Sequence, residues 1–123
     1  MRVIAGIAKG TKLYTPSSRI IRPTLDRVRT SLFDIIGSGI EGKFFLDLFS
    51  GTGANGIEAL SRGAHRAWFV DKSSTAIELI RRNLLKTHLS EKAIIIKAKL
   101  PEEVNLLPQE MDYIFVDPPY NFE

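Results

Sequence analysis

Cysteine is absent from the 123 residues of this sequence, which excludes a disulfide framework, a thiolate metal site and a cysteine nucleophile. No apolar run approaches the roughly 20 residues that a membrane helix requires, and the first residues lack the layout of a secretory signal. The lack of cysteine fits a cytoplasmic protein. The remaining composition, 44% hydrophobic and 25% charged, is typical of one globular domain with one core.

Histidine is also scarce. The only two, His65 and His88, have no partners at metal-ligand spacing, so we expect surface or helix-end positions for them and no metal site. Ser50 and Thr52 have no histidine base near them in the sequence, which argues against a hydrolase.

Positive charge is concentrated at the N-terminus. Residues 1–30 carry seven basic side chains against one acidic side chain, a net charge of +6, whereas the other 93 residues have a net charge of −3. A basic arm on a mildly acidic body is typical of a segment that binds a polyanion such as nucleic acid. By charge alone, a solvated basic hairpin without a partner explains the pattern equally well.

Strand and helix patterns alternate along the chain. Short apolar runs predict strands at residues 44–48, 66–71, 93–96 and 112–117. Helices are predicted at residues 54–62, after Ser73 or Ser74, and over a short stretch at residues 101–107. Residues 2–8 and 12–15 are expected to form a small hairpin. This alternation indicates an α/β fold with a parallel sheet covered on both faces, whose ligands bind at the carboxyl ends of the strands.

The first helix is predicted to begin after Thr24, as its N-cap, and to end at Gly37 and Gly39. Its apolar positions recur at helical spacing and predict one buried stripe, formed by Leu25, Val28, Leu32, Ile35 and Ile36. Arg27 and Arg29 lie off this stripe.

Three glycines, Gly51, Gly53 and Gly56, form a G-x-G-x-x-G pattern between a predicted strand and a predicted helix, and Asp71 follows Gly51 by 20 residues. Glycines allow a ligand to approach the backbone, and a helix start offers unpaired N–H groups. An acid at the end of the next strand can accept hydrogen bonds from ribose hydroxyls. The pattern therefore predicts a nucleoside-type ligand; the structural alternative is a tight turn with a helix-capping Asp71.

Two features argue against a nicotinamide cofactor. The carboxylate of Asp47 beside the loop would repel a pyrophosphate but suits a cation or an amine. At residues 117–120, the sequence Asp-Pro-Pro-Tyr ends the fourth strand, because proline cannot continue it. The Asp117 carboxylate and the Pro118 carbonyl can accept hydrogen bonds from one amino group, and Tyr120 can stack on a flat base. The pattern indicates an amine attached to a purine or pyrimidine; the alternative is a simple proline stop.

With these motifs, the sequence resembles class I S-adenosylmethionine-dependent methyltransferases that carry a D-P-P-Y motif. More closely, it resembles the RsmD family, bacterial enzymes that methylate the exocyclic amine of a guanine in 16S ribosomal RNA. The resemblance extends over essentially the whole chain, and residues 22–29 are its most family-specific stretch. It is carried by residues 1–6 with Lys9-Gly10, residues 22–29 with Leu32-Phe33, residues 47–53 and 58–64, and residues 117–120.

The resemblance implies a Rossmann-like sheet with strand order 3-2-1-4 and later strands missing. It implies a basic hairpin and connector at residues 1–22 before an incomplete methyltransferase domain at residues 23–123. The residues implied to bind S-adenosylmethionine are Asp47, Phe49, Ser50, Gly51, Thr52, Gly53, Asp71 and Lys72. The residues implied to receive the guanine are Asp117, Pro118, Pro119 and Tyr120. The residues implied to face ribosomal RNA are Arg2, Lys9, Lys12, Arg22, Arg27 and Arg29.

The chain departs from the family in two places. Many relatives have an acid just after the third strand, near the adenine amine, whereas this chain has Lys97-Ala98-Lys99. Relatives also continue beyond the D-P-P-Y motif with further strands, whereas this chain ends three residues after Tyr120. Residues 113–116 would then form an unprotected sheet edge, which predicts self-association or a need for the missing segment.

Three other functions remain open from the sequence. The G-x-G-x-x-G pattern with Asp71 also occurs in nicotinamide-dependent oxidoreductases. A D-P-P-Y motif accepts any exocyclic amine, including that of adenine in DNA. A shortened chain without the expected acid is also compatible with a non-catalytic fragment that binds RNA or cofactor.

Overall fold

The central sheet has four parallel strands in the part of the chain that this computed structural model describes, residues 1–16 and 23–117, with side chains from residue 27 onward in the first helix. The strands are β1 (Phe44–Leu48), β2 (Arg66–Asp71), β3 (Ala93–Lys97) and β4 (Tyr113–Val116). They lie in the order β3-β2-β1-β4, and every neighbouring pair is parallel. The predicted α/β fold and the strand order implied by the resemblance are therefore confirmed.

Three α-helices accompany the strands in the described residues: α1 (Pro23–Ile36), α2 (Ala54–Ser61) and α3 (Ser74–Thr87). Short 3-10 helices lie at Gly37–Ile40, Ser90–Lys92 and Val104–Leu106. Within the described ranges, no helix combines the length and the apolar character needed to cross a membrane.

The helix ends follow local chemistry, with two corrections to the predictions. The Ser73 hydroxyl accepts a hydrogen bond from the Ala76 amide at 3.2 Å and caps α3, as expected. The first helix begins at Pro23, so Thr24 lies inside it and is not the N-cap; proline suits a first helical position because its missing N–H would have no partner there. The helix predicted at residues 101–107 is reduced to the 3-10 turn at Val104–Leu106.

The main core lies on one face of the sheet. The chain proceeds across the sheet in one direction from β1 to β2 to β3, and right-handed crossovers then place α2 and α3 on the same face. Their apolar side chains pack on those of the strands, and the cluster includes Phe45, Ile57, Phe69 and Ile80.

The opposite face of the sheet is covered differently. From β3 the chain returns past β1 to β4, so its connection lies on the other side of the sheet. There Leu46 and Val70 pack against Leu100, Leu107 and Met111 of that connection. In the described residues, this face has irregular chain and one 3-10 turn where the sequence predicted helical cover.

The buried face of α1 differs from the predicted apolar stripe. Phe33 is fully buried and Arg29 is only 4% exposed, whereas Val28 and Ile35 are 62% and 84% exposed. Phe33 packs against Phe45, with ring centroids 6.0 Å apart. Arg29 points inward because its Nε lies 3.5 Å from the buried carboxylate of Glu58. The need to pair that carboxylate sets the helix orientation more strongly than the burial of two aliphatic side chains.

The N-terminal arm, residues 1–14, has the predicted hairpin shape but is not a pair of regular strands. Arg2 and Lys12 form one isolated antiparallel bridge, and the Leu13 amide donates a hydrogen bond to the Met1 carbonyl at 2.9 Å. Val3 and Leu13 are buried in the main core. The arm therefore packs as part of the body; the proposed boundary between residues 22 and 23 stays a prediction, because residues 17–22 lie outside the described residues.

The outer strand β4 leaves apolar surface exposed. Ile114 and Val116 point to the same face of β4, and they are 59% and 56% exposed. In the described sheet, β4 pairs only with β1. An open apolar edge of this kind can pair with another chain, so self-association through β4 stays a prediction.

We expect Ile114→Lys to reduce self-association of the chain at high concentration, because a charge on an edge strand opposes edge-to-edge pairing. Sedimentation velocity measures the mass distribution. The matched control is Leu85→Lys, which places the same charge at a 67% exposed residue of α3 and should leave the distribution of the parent chain unchanged. A parent chain that is monomeric at every concentration would contradict the prediction.

Candidate functional site

The loop from β1 to α2 has an unusual backbone. Phe49, Gly51 and Gly53 have φ angles of 58°, 58° and 82°. All three lie in the left-handed region, which residues other than glycine rarely adopt. At Phe49 this conformation costs on the order of 1–3 kcal/mol, and strained residues of this kind cluster at ligand sites. A Cβ atom at Gly51 would meet nothing within 4 Å, so a ligand has room to approach the backbone there.

Hydrogen bonds of Ser50 hold the loop between β1 and β2. Its buried hydroxyl donates to the Asp47 carbonyl at 2.6 Å and accepts from the Val70 amide at 3.1 Å. Its carbonyl accepts from the Gly53 amide at 2.9 Å. Ser50 is therefore occupied with shaping the loop, and its predicted contact with a cofactor stays a prediction.

The structure brings Asp71 to the glycine loop. One oxygen of its carboxylate accepts a hydrogen bond from the Gly51 amide, and the other accepts from the Ser73 amide, both at 3.0 Å. The carboxylate thus joins the ends of β1 and β2. Each oxygen keeps a lone pair for a further donor, so Asp71 can still accept hydrogen bonds from a ligand's hydroxyls.

Asp47 is buried beneath the same loop. Its side chain is 1% exposed, and its Oδ2 accepts a hydrogen bond from the Gly56 amide at 3.1 Å. Burial raises the pKa of Asp47 from its ordinary 3.8 to about 7; the Gly56 hydrogen bond opposes this shift, and the negative charges of Asp117 and Asp71 add to it. The site therefore contains a carboxyl group that titrates near neutral pH.

The third glycine of the motif serves packing. A Cβ atom at Gly56 would lie 2.3 Å from the ring of Phe69, closer than any real contact. Glycine at this position lets α2 lie directly on β2, which is the role of the third glycine in dinucleotide-binding loops. Gly51 and Gly53 shape the loop, whereas Gly56 positions the helix that follows it.

An open cavity of about 530 Å³ lies beside Asp71, at the carboxyl ends of β2 and β3. Its lining residues are Lys72, Ser73, Lys97, Ala98, Lys99 and Glu103. The volume falls in the range of small-molecule sites. The predicted residue Lys72 is part of this lining.

Glu103 supplies this cavity with an acid that the sequence analysis did not single out. Its Oε1 accepts a hydrogen bond from the Lys99 amide at 2.9 Å, while its own amide donates to the Lys99 carbonyl at 2.8 Å. This turn carries Glu103 back over the end of β3, next to the stretch Lys97-Ala98-Lys99 where no acid is present. An acid six residues after the end of β3, and four after Lys99, was the available signal.

Asp117 follows β4 directly and is exposed. The register pairs Val116 with Leu48, so Asp117 lies at the same edge of the sheet as the glycine loop. Pro118, Pro119 and Tyr120 lie outside the described residues, and their roles stay predictions. Within residues 1–16 and 23–117, no group of three or more histidine, cysteine, aspartate or glutamate side chains is placed to hold a metal ion.

The predicted RNA-facing residues fall into three groups. Arg2, Lys9, Lys12 and Arg27 are exposed, as a contact with RNA requires, and Arg22 lies outside the described residues. For Arg29 the expected exposure is wrong. Its Nη2 donates to the Arg2 carbonyl at 2.7 Å, and its guanidinium lies against Glu58, so Arg29 holds the arm rather than presenting charge to solvent.

Glu58 is the second residue that the sequence analysis missed. Its carboxylate is 1% exposed and accepts hydrogen bonds from the amides of Ile4 and Ala5 at 2.9 and 3.1 Å and from Arg62 Nε at 2.8 Å. These bonds anchor the basic arm to α2. A single acid among apolar residues of a short helix was the signal that could have found it.

Comparisons with known proteins identify the family to which the chain is similar. A family model described as "Conserved hypothetical protein 95" matches residues 1–123. A Bacillus subtilis protein provisionally named an rRNA methyltransferase is 39% identical over 123 residues, covering 98% of this chain and 67% of that protein. The Haemophilus influenzae "Ribosomal RNA small subunit methyltransferase D" is 35% identical over 127 aligned residues, covering 99% of this chain and 65% of that protein. The chain thus spans about two thirds of the length of these curated relatives.

Solved structures of similar sequence share the fold of this chain. An Escherichia coli protein with a provisional methyltransferase name matches with a TM-score of 0.83 and 31% identity, covering 98% of this chain and 64% of that chain. A Haemophilus influenzae protein with a provisional methylase name matches with a TM-score of 0.76 and 34% identity, covering 98% of this chain and 65% of that chain.

The raised pKa of Asp47 predicts how stability depends on pH. Between pH 3.8 and about 7, folded Asp47 keeps a proton that the unfolded chain has released, so its contribution to the free energy of unfolding falls as the pH rises through this window. We expect Asp47→Asn, which has no proton to lose, to abolish this part of the fall. Urea unfolding at several pH values between about 4 and 8 measures it. Asp34→Asn, a change at an exposed carboxylate of α1, should keep the slope of the parent chain; an unchanged slope in Asp47→Asn would contradict the assignment.

Proposed function

This chain belongs to the RsmD family, and we propose that it carries the cofactor site of an enzyme that methylates the exocyclic amine of a guanine in small-subunit (16S) ribosomal RNA, with S-adenosylmethionine as the methyl donor. The observation that carries the proposal is the open backbone at Gly51 between two carboxylates. Asp71 binds the Gly51 amide directly, and Asp47 lies buried beneath the loop. Because the chain spans about two thirds of its relatives, the activity of the whole enzyme is part of the proposal.

The described residues fit S-adenosylmethionine. Its adenosine has two ribose hydroxyls, for which Asp71 has free lone pairs, and we assign its adenine to the cavity lined by Lys72 and Glu103. Its methionine part carries an ammonium group, which suits the Asp47 carboxylate near the Phe49–Gly53 loop. The Glu103 carboxylate is the acid available to the adenine amine in place of one at residues 97–99. When bound, S-adenosylmethionine supplies a methyl group on a sulfonium sulfur.

The chain's own part in the reaction is to position the acceptor. The amine of guanine is a weak nucleophile because its lone pair is delocalised into the ring. The exposed carboxylate of Asp117 accepts a hydrogen bond from this amine and favours its pyramidal form, together with the Pro118 carbonyl. Methyl transfer would form one N–C bond and break one S–C bond, and the nitrogen would release one proton to solvent, so no tuned general base is required. Holding the amine in line with the methyl group supplies much of the rate.

Ribosomal RNA is the proposed partner, and it contacts the exposed basic side chains of Arg2, Lys9, Lys12 and Arg27, together with Arg22. Basic groups of this kind bind the phosphate backbone. The target base is taken out of its stack, as enzymes that modify bases require, and Tyr120 offers a surface for it. A ribosomal substrate also implies a cytoplasmic location.

A nicotinamide-dependent oxidoreductase is the competing proposal, since Gly51, Gly53 and Asp71 suit either cofactor. Asp47 disfavours it, because an acidic group beneath the loop opposes a pyrophosphate at the start of α2. Neither a DNA adenine methyltransferase nor a non-catalytic fragment is favoured by a particular contact in the described residues.

Calorimetric titration of the chain with S-adenosylmethionine, with NAD in parallel, tests the cofactor. At about pH 8, above the pKa of Asp47, we expect saturable one-to-one binding of S-adenosylmethionine and none of NAD, because the ionised carboxylate beneath the loop attracts an ammonium group and repels a pyrophosphate. Binding of NAD alone would contradict the proposal. Binding of neither would also contradict the proposal that this chain carries the cofactor site.

Asp117→Ala tests the acceptor site. We expect methyl transfer from radiolabelled S-adenosylmethionine to 16S ribosomal RNA to fall by at least about 100-fold, because the amine loses its charged acceptor, while the dissociation constant of S-adenosylmethionine stays within about twofold. Glu110→Ala removes another exposed acid from the chain before β4 and should keep the parent rate. An Asp117→Ala variant with parental turnover would remove the assigned role.

A further inference from the structure

Asn83 is a completely buried amide on α3 that touches two distant parts of the chain. Its Oδ1 accepts a hydrogen bond from the Tyr14 amide at 2.7 Å. Its Nδ2 donates to the Tyr14 carbonyl at 3.0 Å and to the Thr52 carbonyl at 2.9 Å. Both N–H groups and the oxygen of the side chain are therefore used.

This set of partners requires an asparagine side chain in one orientation. Two carbonyl groups need donors and one amide needs an acceptor, so turning the side-chain amide over would leave all three contacts mismatched. An aspartate at position 83 has the same shape but no donor, and its carboxylate would face the carbonyls of Tyr14 and Thr52. Asn83 thus connects residue 14 to residue 52 through hydrogen bonds that no other side chain of this shape can make; we call it the connector.

One side of the connector is the proposed cofactor loop. Thr52 lies between Gly51 and Gly53, and the Gly51 amide is bonded to Asp71. Fixing the Thr52 carbonyl therefore fixes the peptide units that a cofactor would contact.

The other side is the end of the N-terminal arm, which carries Arg2, Lys9 and Lys12. The Tyr14 ring is held on α3 by two cations, with Arg82 Cζ 4.3 Å and Lys86 Nζ 4.5 Å from its centroid. Such contacts strengthen the docking of residue 14. A second contact joins the arm to the loop, because the Thr52 hydroxyl lies 3.6 Å from the Met1 sulfur.

We propose that Asn83 is a positioning residue that couples the cofactor loop to the basic arm, so that binding of cofactor and binding of RNA strengthen each other. This inference rests on the proposed function, which supplies the two ligands. A ligand that orders the loop at residues 49–53 fixes the Thr52 carbonyl. Because Asn83 is bonded to this carbonyl and to Tyr14, the position of Tyr14 is then fixed as well. RNA then binds an arm that is already ordered, so its binding loses less conformational entropy. The same factor must operate in both directions, because coupling of two binding equilibria is reciprocal.

The test measures this coupling factor directly. Filter binding gives the dissociation constant of a 16S ribosomal RNA transcript for the chain, with and without saturating S-adenosylhomocysteine, the demethylated product that permits no turnover. For the parent chain we expect at least about fivefold tighter RNA binding with S-adenosylhomocysteine, the lower end of typical couplings. For Asn83→Asp we expect the ratio to fall to about one.

Thr87→Val is the matched control. Thr87 is also buried on α3, and its hydroxyl donates only within the helix, to the carbonyls of Asn83 and Leu84. The variant should lose stability without losing the coupling ratio. If Asn83 only stabilised the fold, both variants would lose stability and neither would change the coupling ratio specifically. If Asn83 couples the two sites, only Asn83→Asp loses the coupling ratio.

Hydrogen exchange of the parent chain keeps the inference testable if Asn83→Asp does not fold. The amides of Val3 and Leu13 bond within the arm, to the carbonyls of Thr11 and Met1. We expect S-adenosylhomocysteine to slow their exchange, although neither amide is part of the proposed cofactor site.

The outcomes distinguish this inference from the proposed function. If the parent chain binds S-adenosylhomocysteine and RNA without coupling, or leaves the exchange of Val3 and Leu13 unchanged, the role of Asn83 is overturned and the proposed function stands. Coupling that persists in a folded Asn83→Asp variant also overturns it. If the parent chain does not bind S-adenosylhomocysteine at all, both proposals fail.

Discussion

The close approach of α2 to the sheet is the constraint on which the rest of the structure depends. It is possible only because residue 56 has no side chain, since a Cβ atom there would lie 2.3 Å from the ring of Phe69. At this distance the Gly56 amide reaches the buried carboxylate of Asp47 at 3.1 Å. The same approach fixes where the loop at Gly51 enters the helix. A helix one side chain further out would lose the hydrogen bond to Asp47 and leave that carboxylate buried without its donor, which is costly.

The position of α2 also decides how the N-terminal part of the chain folds. Glu58 faces inward from α2, and a buried carboxylate must find charged or hydrogen-bonding partners. It finds them in the amides of Ile4 and Ala5 and in the side chains of Arg29 and Arg62. The arm and α1 therefore both contact the carboxylate of Glu58. This explains why α1 turns an arginine toward the core and leaves aliphatic side chains in solvent.

Charge is divided between the glycine loop and the N-terminal arm in a way that matches the proposed ligands. Three carboxylates, those of Asp47, Asp71 and Asp117, lie at one edge of the sheet, and their mutual repulsion contributes to the raised pKa of Asp47. Beside the glycine loop, these acidic groups favour cationic and hydrogen-bond-donating groups over phosphates, whereas three lysines line the cavity at the ends of β2 and β3. The exposed cations of the arm lie on the chain segment that reaches this loop through Asn83, so a polyanion and a cationic ligand can bind near each other without competing for the same residues.

Sequence alone determined the strands, their order by resemblance, the glycine loop and Asp71 beside it, because these depend on short-range patterns: apolar runs, glycines and an acid at a strand end. It did not determine which charged residues turn inward. Arg29 and Lys12 look alike in the sequence, and only the tertiary contact with Glu58 separates a buried arginine from an exposed lysine. Glu58 and Asn83 have no motif, because their partners lie 54 and 69 residues away in the chain. Burial and pairing of polar groups depend on which elements meet, and local sequence does not encode that directly.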